Sequence, residues 1–313
     1  MKKNRRISGK ILMALMILFF YLPIVYMIVF SFNESKSLTH FAGFSMQWYE
    51  KMLQSNDMMS SLYTTIIVAV IATIVSTVIG TITAIGISKS RKIIKDLVLQ
   101  INDFPIMNPE IVTAIGLMLL FITFKVEKGF ATLLIAHIAF CIPYVILSVM
   151  PKIKSLDSNL ADAAMDLGAT PWQALIKVIV PQIMPGIFAG GLIAFTMSFD
   201  DFIISYFATG RGVKNLSIMV YTMSKRINPS INAISTLVVV LITIALILVN
   251  VVPVLRKKFG NDEKVSSPWK KVVLVVLIVA IISGGFGLKN MMNAPGKYEG
   301  ETLHVFNWGE YTG

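Results

Sequence analysis

Residues 156–185 read LDSNLADAAMDLGATPWQALIKVIVPQIMP, a stretch that predicts two short helices joined by a tight turn. Asp157 or Ser158 can cap the first helix with its side-chain oxygen. Gly168 then stands where a left-handed residue commonly ends a helix. The run Thr170–Gln173 has the residue types and spacing of a capping box with proline at the first helical position, so a second helix should begin there.

The first of these helices is predicted to be amphipathic. Four apolar residues recur at a spacing of three to four along it, and Asp162 and Asp166 lie on another face. The four apolar residues are Leu160, Ala163, Ala164 and Leu167. A compact amphipathic pair of this kind suits a docking element, and an interfacial loop at a membrane surface would have the same pattern.

The rest of the chain is too apolar for a water-soluble domain or a disordered one. Of its 313 residues 55% are hydrophobic and only 14% charged, and mean hydropathy is +0.74. Charge-free runs at residues 11–33, 58–88, 129–151, 178–199 and 227–255 can each hold a membrane-crossing helix of about 20 residues. The sequence therefore predicts an all-α membrane protein.

A sixth crossing and one of the five runs need adjusted limits, and a seventh run is short. One reaches crossing length only from Ile106 to Phe124, which includes Glu110. Prolines interrupt the 178–199 run, so its crossing helix is predicted from Gly186 to Phe207. The last apolar run covers residues 272–288.

The basic residues predict the orientation. Net charge is +11, which in a soluble protein would suggest a nucleic-acid partner. Here the lysines and arginines are concentrated in short segments between apolar runs, as in cytoplasmic loops, so no nucleic acid is expected. Their bias places the N-terminus in the cytoplasm, and seven crossings then place the C-terminal tail outside. The first apolar run is longer than that of a signal peptide and should be retained.

The loop described first carries a family resemblance. Its residues Asp162-Ala163-Ala164, Gly168, Val178, Val180 and Pro181 resemble the EAA loop of ABC-importer permease subunits, at the spacing Glu-Ala-Ala, three residues, Gly, nine residues, Ile-x-Leu-Pro. Aspartate replaces glutamate, and valines replace isoleucine and leucine. The resemblance implies a six-helix type I permease core plus a seventh transmembrane helix. It also implies that Asp162, Ala163, Ala164, Gly168 and Pro181 couple the chain to a cytoplasmic ATPase.

Other stretches indicate a subfamily. Residues 104–112, 136–146, 195–210 and 227–241 are similar to the second permease of spermidine/putrescine importers. That resemblance implies a bacterial cytoplasmic membrane protein with a polyamine as substrate. The implied partners are a second permease in a heterodimer, a dimer of ABC ATPase subunits that binds the ATP, an extracytoplasmic polyamine-binding protein and the lipid bilayer.

The tail adds a second resemblance. Residues 301–313, ETLHVFNWGEYTG, are similar to the start of the extracytoplasmic polyamine-binding protein. This likeness implies a fused binding domain of which only the beginning is present, with Trp308, Glu310 and Tyr311 as polyamine-binding residues. A short juxtamembrane stub is the alternative. The predicted organisation is a permease domain at 1–254 with its coupling loop at 157–181, a cytoplasmic linker at 255–271, a helix at 272–288 and a tail at 289–313.

Three acids at or inside apolar runs are candidates for the transport path, defined here as the route of the solute through the membrane. Glu110, Asp200 and Asp201 are costly in a membrane, and such residues normally face a bundle interior or a water-filled cavity. Tyr206 adds an aromatic face suited to an alkyl-ammonium ion. Alternatively, the aspartates pair with a lysine or arginine of a partner subunit, or they mark the outer end of a membrane span. For Glu110 the alternative is a structural role at the membrane interface.

No catalytic constellation is visible in the sequence. It has no GxxxxGK[ST], GxSxG or HExxH motif, one cysteine, and three histidines far apart, so we expect a transporter subunit without its own ATPase site, metal or other cofactor. His137 is expected to be a hydrogen-bonded packing residue. The pairs Gly186/Gly190 and Gly80/Ala84 predict close helix packing. A permease for another small solute, or an ion-coupled secondary transporter, remains an alternative.

Overall fold

The computed structural model describes residues 2–157, 159–210, 212–224, 228–240 and 243–244, with the side chains of these residues from Lys10 onward. The predicted seventh helix, the linker and the tail, including Trp308, Glu310 and Tyr311, lie outside the described residues. The helices are α1 (Lys2–Phe30), α2 (Gln47–Gln54), α3 (Asn56–Lys89), α4 (Lys92–Met107), α5 (Glu110–Thr123), α6 (Phe130–Lys154), α7 (Leu160–Asp166), α8 (Pro171–Ala174), α9 (Val180–Asp200), α10 (Ile203–Ala208), α11 (Leu216–Ser224) and α12 (Ser230–Val240).

The predicted all-α class is confirmed, and the described residues contain no strand beyond an isolated bridge between Asn33 and Phe44. Four helical stretches of the described chain are long and apolar enough to cross a membrane. They are Lys10–Phe30, Asn56–Lys89, Phe130–Lys154 and Pro171–Asp200. The pair α4 and α5 makes a fifth if it counts as one broken span.

Helix α6 is the centre of the bundle, because α3 and α9 both pack along it. The close approach depends on glycine, as the small-residue pairs predicted. A Cβ atom at Gly80 of α3 would lie 2.8 Å from the Cβ atom of Val145, and one at Gly190 of α9 would lie 3.2 Å from the Cα atom of Val145. Ser148 of α6 donates a hydrogen bond of 3.0 Å to the carbonyl oxygen of Gly186.

We expect Gly80→Ala to lower the free energy of unfolding by about 1–3 kcal/mol, because the added methyl group overpacks the contact with Val145. Gly86 of the same helix is the matched control, since a Cβ there meets no atom within 4 Å. Gly86→Ala should leave stability unchanged or raise it by up to about 1 kcal/mol, as alanine is the better helix former. Thermal unfolding of the two purified variants measures the difference, and equal midpoints would contradict this packing.

Two predicted crossings are interrupted. The predicted helix from Ile106 to Phe124 is wrong as one element, because the chain leaves helical geometry at Asn108 and Pro109 and turns by 105° between α4 and α5. A residue before proline is disfavoured in the helical region, which explains why the break falls there.

The predicted helix from Gly186 to Phe207 is also wrong. Helical structure extends from Pro171 to Asp200, including a π-helical segment at Leu175–Ile179, and ends where Asp201 adopts an extended backbone. Pro181 stands in the first turn of α9, directly after the π-helical segment. Helix α10 begins only at Ile203.

Candidate functional site

The two helix breaks bring together the three acids that the sequence singled out. Glu110 is the first residue of α5, Asp200 is the last residue of α9, and Asp201 lies in the gap before α10. Helix α10 packs against α5, and Glu110 is close enough to both aspartates to interact with them electrostatically. We call Glu110, Asp200 and Asp201 the acid cluster.

Asp201 is buried, and its carboxylate caps α10. Its Oδ1 atom accepts from the backbone N–H of Ile204 at 3.1 Å, and its Oδ2 atom accepts from the backbone N–H and the hydroxyl of Ser205, both at 2.7 Å. Only 5% of the residue is exposed. These bonds satisfy the first N–H groups of α10 and explain why the helix restarts after the break.

A network of buried polar side chains surrounds this cap. His137 of α6 lies 2.7 Å through Nδ1 from Ser198 Oγ, and through Nε2 it lies 2.9 Å from Ser205 Oγ and 3.4 Å from Asp201 Oδ2. Asn215 donates to the Asp201 carbonyl at 3.1 Å and to Ser205 Oγ at 2.7 Å. The prediction of His137 as a hydrogen-bonded packing residue is confirmed.

Asp200 and Tyr206 have a different environment from Asp201. Asp200 is exposed, and half of Tyr206 is exposed. The Tyr206 ring lies in an aromatic group with Phe202 and Tyr221, whose ring centroids are 5.5 Å and 6.3 Å from its own. Phe202 and Tyr221 are 4.7 Å apart. The exposed Asp200 thus comes two residues before Phe202, the first ring of this aromatic group.

The carboxylates and aromatic rings of this region are groups that can bind an organic cation. No lysine or arginine of the described residues forms a salt bridge with the acid cluster, whose one close basic neighbour there is His137, with Nε2 at 3.4 Å from Asp201 Oδ2. Carboxylates attract ammonium groups, and aromatic faces attract both the ammonium charge and the methylenes beside it. The described residues contain no group of His, Cys, Asp and Glu side chains that could hold a metal ion.

Sequence reasoning missed Ser198, Ser205 and Asn215. Asn215 precedes α11 and accepts from the backbone N–H of Ile218, and the Leu216 N–H donates to Thr65 of α3. An aspartate shortly before an apolar segment, as Asp201 is before α10, is a sequence signal for a helix N-terminal cap. Asn215 and Thr65 are brought in by contacts between distant parts of the chain, which no local pattern marks.

The coupling loop, residues 157–181, has the second helix start that was predicted. Thr170 and Gln173 form a reciprocal capping box, and Pro171 is the first residue of α8. Gly168 has a φ angle of +88°, in the left-handed region, as expected. The prediction that Asp157 caps α7 is wrong: the helix starts at Leu160 after Asn159, and Asp157 accepts from the Asn159 N–H in the turn before it. Ser158, the other candidate, lies outside the described residues.

The coupling loop also presents uncovered apolar surface. Leu167 is 91% exposed and Trp172 is 69% exposed, whereas Leu160 and Ala164 are half-buried. The predicted residues Asp162 and Ala163 of α7 are exposed as well, and Pro181 is exposed at the start of α9. Apolar side chains this exposed, flanked by carboxylates, are typical of a surface that another protein covers.

Residues 76–257 match the protein family described as the binding-protein-dependent transport system inner membrane component. The chain belongs to this family. It is therefore a transport subunit and a multi-pass protein of the cytoplasmic membrane, and the resemblance inferred from the EAA-like loop is confirmed.

Characterised relatives cover most of the chain. The spermidine/putrescine transport system permease protein PotC of Escherichia coli K12 is 33% identical over 224 residues, which are 71% of this chain and 85% of the relative. The putrescine transport system permease protein PotI of the same strain is 32% identical over 233 residues, 70% of this chain and 81% of the relative. The PotC homolog of Mycoplasma genitalium is 31% identical over 273 residues, 82% and 94% of the two chains.

A solved structure has the same fold. A chain from a bacterial ABC transporter involved in the import of the acidic polysaccharide alginate superposes with a TM-score of 0.65 and 17% sequence identity, covering 82% of this chain and 97% of that one. The all-α architecture with an ABC-importer permease fold is thus shown.

Proposed function

We propose that this chain is one permease subunit of an ATP-driven importer for polyamines such as spermidine and putrescine. The observation that carries the proposal is the acid cluster at two helix breaks, the second of which is followed by an aromatic group. The relatives that cover most of this chain are named for the transport of the same solutes. In the proposal the chain forms half of the transport path, and a second permease subunit forms the other half.

The chemistry of the acid cluster suits a polycation. A polyamine alternates ammonium groups with methylene segments, so its route needs carboxylates interleaved with apolar walls. Interrupted helices near a membrane's midplane are a common way to build such sites, because irregular backbone is tolerated there only where it lines a cavity or is buried in protein. We assign Asp200 and Glu110 to the solute route, with Tyr206 as a wall.

The coupling loop is proposed to dock onto a cytoplasmic ATPase. Exposed Leu167 and Trp172 supply the apolar contact, and the exposed carboxylate of Asp162 favours a partner groove with basic residues. Closure of the two ATPase subunits on ATP would move the coupling loops of both permeases and rock the bundles between two arrangements. The ATP is bound by the partner, and the permease supplies no catalytic group of its own.

The proposed sidedness follows from the basic segments of the sequence. The N-terminus and the coupling loop lie in the cytoplasm, and the tail lies outside, where a binding protein or a fused binding domain delivers the polyamine. Trp308, Glu310 and Tyr311 are assigned to that outer contact.

Reconstitution tests the proposal. We expect proteoliposomes that contain this chain, its second permease and the ATPase to accumulate labelled spermidine when ATP is enclosed on the cytoplasmic side and the binding component is outside. Unlabelled putrescine should compete, whereas an amino acid or an anion should not. Liposomes without ATP are the control, since an ion-coupled transporter would not require it.

The outcomes separate the alternatives. Competition by an amino acid with no effect of putrescine would identify a permease for another solute. Uptake by this chain alone, without ATP and without the ATPase, would overturn the importer proposal altogether.

A further inference from the structure

The two adjacent acids Asp200 and Asp201 differ in burial and in hydrogen bonding. Asp201 is buried and accepts three hydrogen bonds from α10, whereas Asp200 is exposed at the end of α9. A carboxylate whose lone pairs are already used by the protein has little left to offer a passing ammonium group. The exposed neighbour remains the one that a solute can reach.

The donors and acceptors of the hydrogen bonds around Ser205 can be assigned. Asn215 Oδ1 accepts from the Ile218 N–H, so its Nδ2 atom is the donor toward Ser205 Oγ at 2.7 Å. An ionised carboxylate only accepts, so the Ser205 hydroxyl donates to Asp201 Oδ2. Ser205 Oγ therefore accepts from His137, which places a ring proton on Nε2, and Nδ1 shares a hydrogen bond with Ser198 Oγ.

His137 consequently joins the two sides of the break from a third helix. Ser198 stands on α9 before the break, Ser205 stands on α10 after it, and the imidazole of α6 bonds to both. Only 2% of His137 is exposed, so removing the ring would take from the buried Ser198 Oγ its bond to Nδ1 and from Ser205 Oγ one of the bonds that hold it beside Asp201.

We infer that His137 is a positioning residue: through Ser205 it holds Asp201 as the cap of α10, and this cap keeps the helix broken so that, of the two aspartates, only Asp200 presents its charge to the solute. The inference rests on the proposed function and deepens it by dividing the tasks of the two acids. With the network lost, the run from Gly186 to Phe207 has the composition to continue as one helix, which would redirect the residues of α10 and change the surroundings of Asp200 at the end of α9.

The test uses the complete transporter in proteoliposomes, with uptake of labelled spermidine and ATP hydrolysis measured together. We expect His137→Leu to lower uptake about tenfold or more, which corresponds to about 1.4 kcal/mol, and to lower ATP hydrolysis far less. His137→Gln keeps an amide donor for Ser205 and should recover most of the uptake. Cys141→Ala is the matched control, since Cys141 is equally buried one turn further along α6, and it should transport like the parent.

A double-mutant cycle between His137 and Asp200 distinguishes the positioning of Asp200 from a general loss of structure. If His137 acts by placing Asp200, then His137→Leu should lower uptake less than about twofold in the Asp200→Asn background, because coupled residues are not additive. The same tenfold loss in both backgrounds, or equal losses for His137→Gln and His137→Leu, would overturn the inference. If the leucine variant does not accumulate, Ser205→Ala takes its place, because it removes the hydroxyl link and keeps the backbone N–H bond to Asp201; wild-type uptake with Ser205→Ala would likewise overturn the inference.

Failure of the proposed function has a distinct signature. If the parent complex takes up no spermidine, the polyamine proposal has failed before any variant is compared. The same variant ratios are then measured with the solute that the complex does carry.

Discussion

Replacing Asp200 by asparagine should reduce uptake of labelled spermidine by the reconstituted transporter about tenfold or more. The physical reason is the loss of a full negative charge where an ammonium group leaves water: at about 4 Å and an effective dielectric constant of about 20, such a pair is worth about 4 kcal/mol. Part of that energy offsets desolvation of the ion, and every loss of about 1.4 kcal/mol lowers a rate tenfold. ATP hydrolysis by the complex should persist.

Two controls isolate the charge at this place. Asp200→Glu retains the charge and should retain most of the uptake. Asp103→Asn makes the same chemical change on α4, where the carboxylate accepts a bond of 3.4 Å from the neighbouring Asn102, and it should leave transport intact. Unchanged uptake in Asp200→Asn would remove this carboxylate from the solute route.

The coupling loop was readily predicted from sequence because its determinants are local. A capping box joins residues three apart, and a left-handed glycine needs only its own backbone, so the motif TPWQ and Gly168 were found by pattern alone. The close packing at Gly80 and Gly190 was likewise readable, since small residues four apart permit two helices to approach.

The helix breaks were harder to predict because a continuous apolar run conceals them. Asp201 stops α9 by bonding to the N–H groups of Ile204 and Ser205, and the network that secures this cap comes from α6 and from the residue before α11. Hydropathy measures only how apolar a stretch is, so it extended the helix to Phe207. The acids themselves were found from sequence because a charge in such a run is conspicuous; the division between a buried and an exposed carboxylate needed the fold.

Gly168→Val should uncouple the permease from ATP hydrolysis, with uptake reduced about tenfold or more. At a φ angle of +88° a β-branched residue is strongly disfavoured, and the left-handed conformation costs an ordinary L-residue roughly 1–2 kcal/mol. The turn would then relax to another conformation and change the angle between α7 and α8. Leu167 and Trp172, which are exposed on either side of the turn, would then lose the placement that the proposed docking to the ATPase requires.

Gly168→Asn is the control, because the space around this glycine can hold a Cβ atom. A Cβ atom at Gly168 meets no atom within 4 Å, so the added Cβ does not collide with the fold and the backbone preference is the property that changes. Gly168→Asn should therefore transport nearly as well as the parent, because asparagine adopts the left-handed region more readily than other side chains do. Co-purification of the ATPase and the solute carried per ATP hydrolysed measure both variants. Since valine and asparagine differ little in size, a loss confined to valine assigns the effect to the turn geometry, and normal coupling in Gly168→Val would show that this loop does not transmit force from the ATPase.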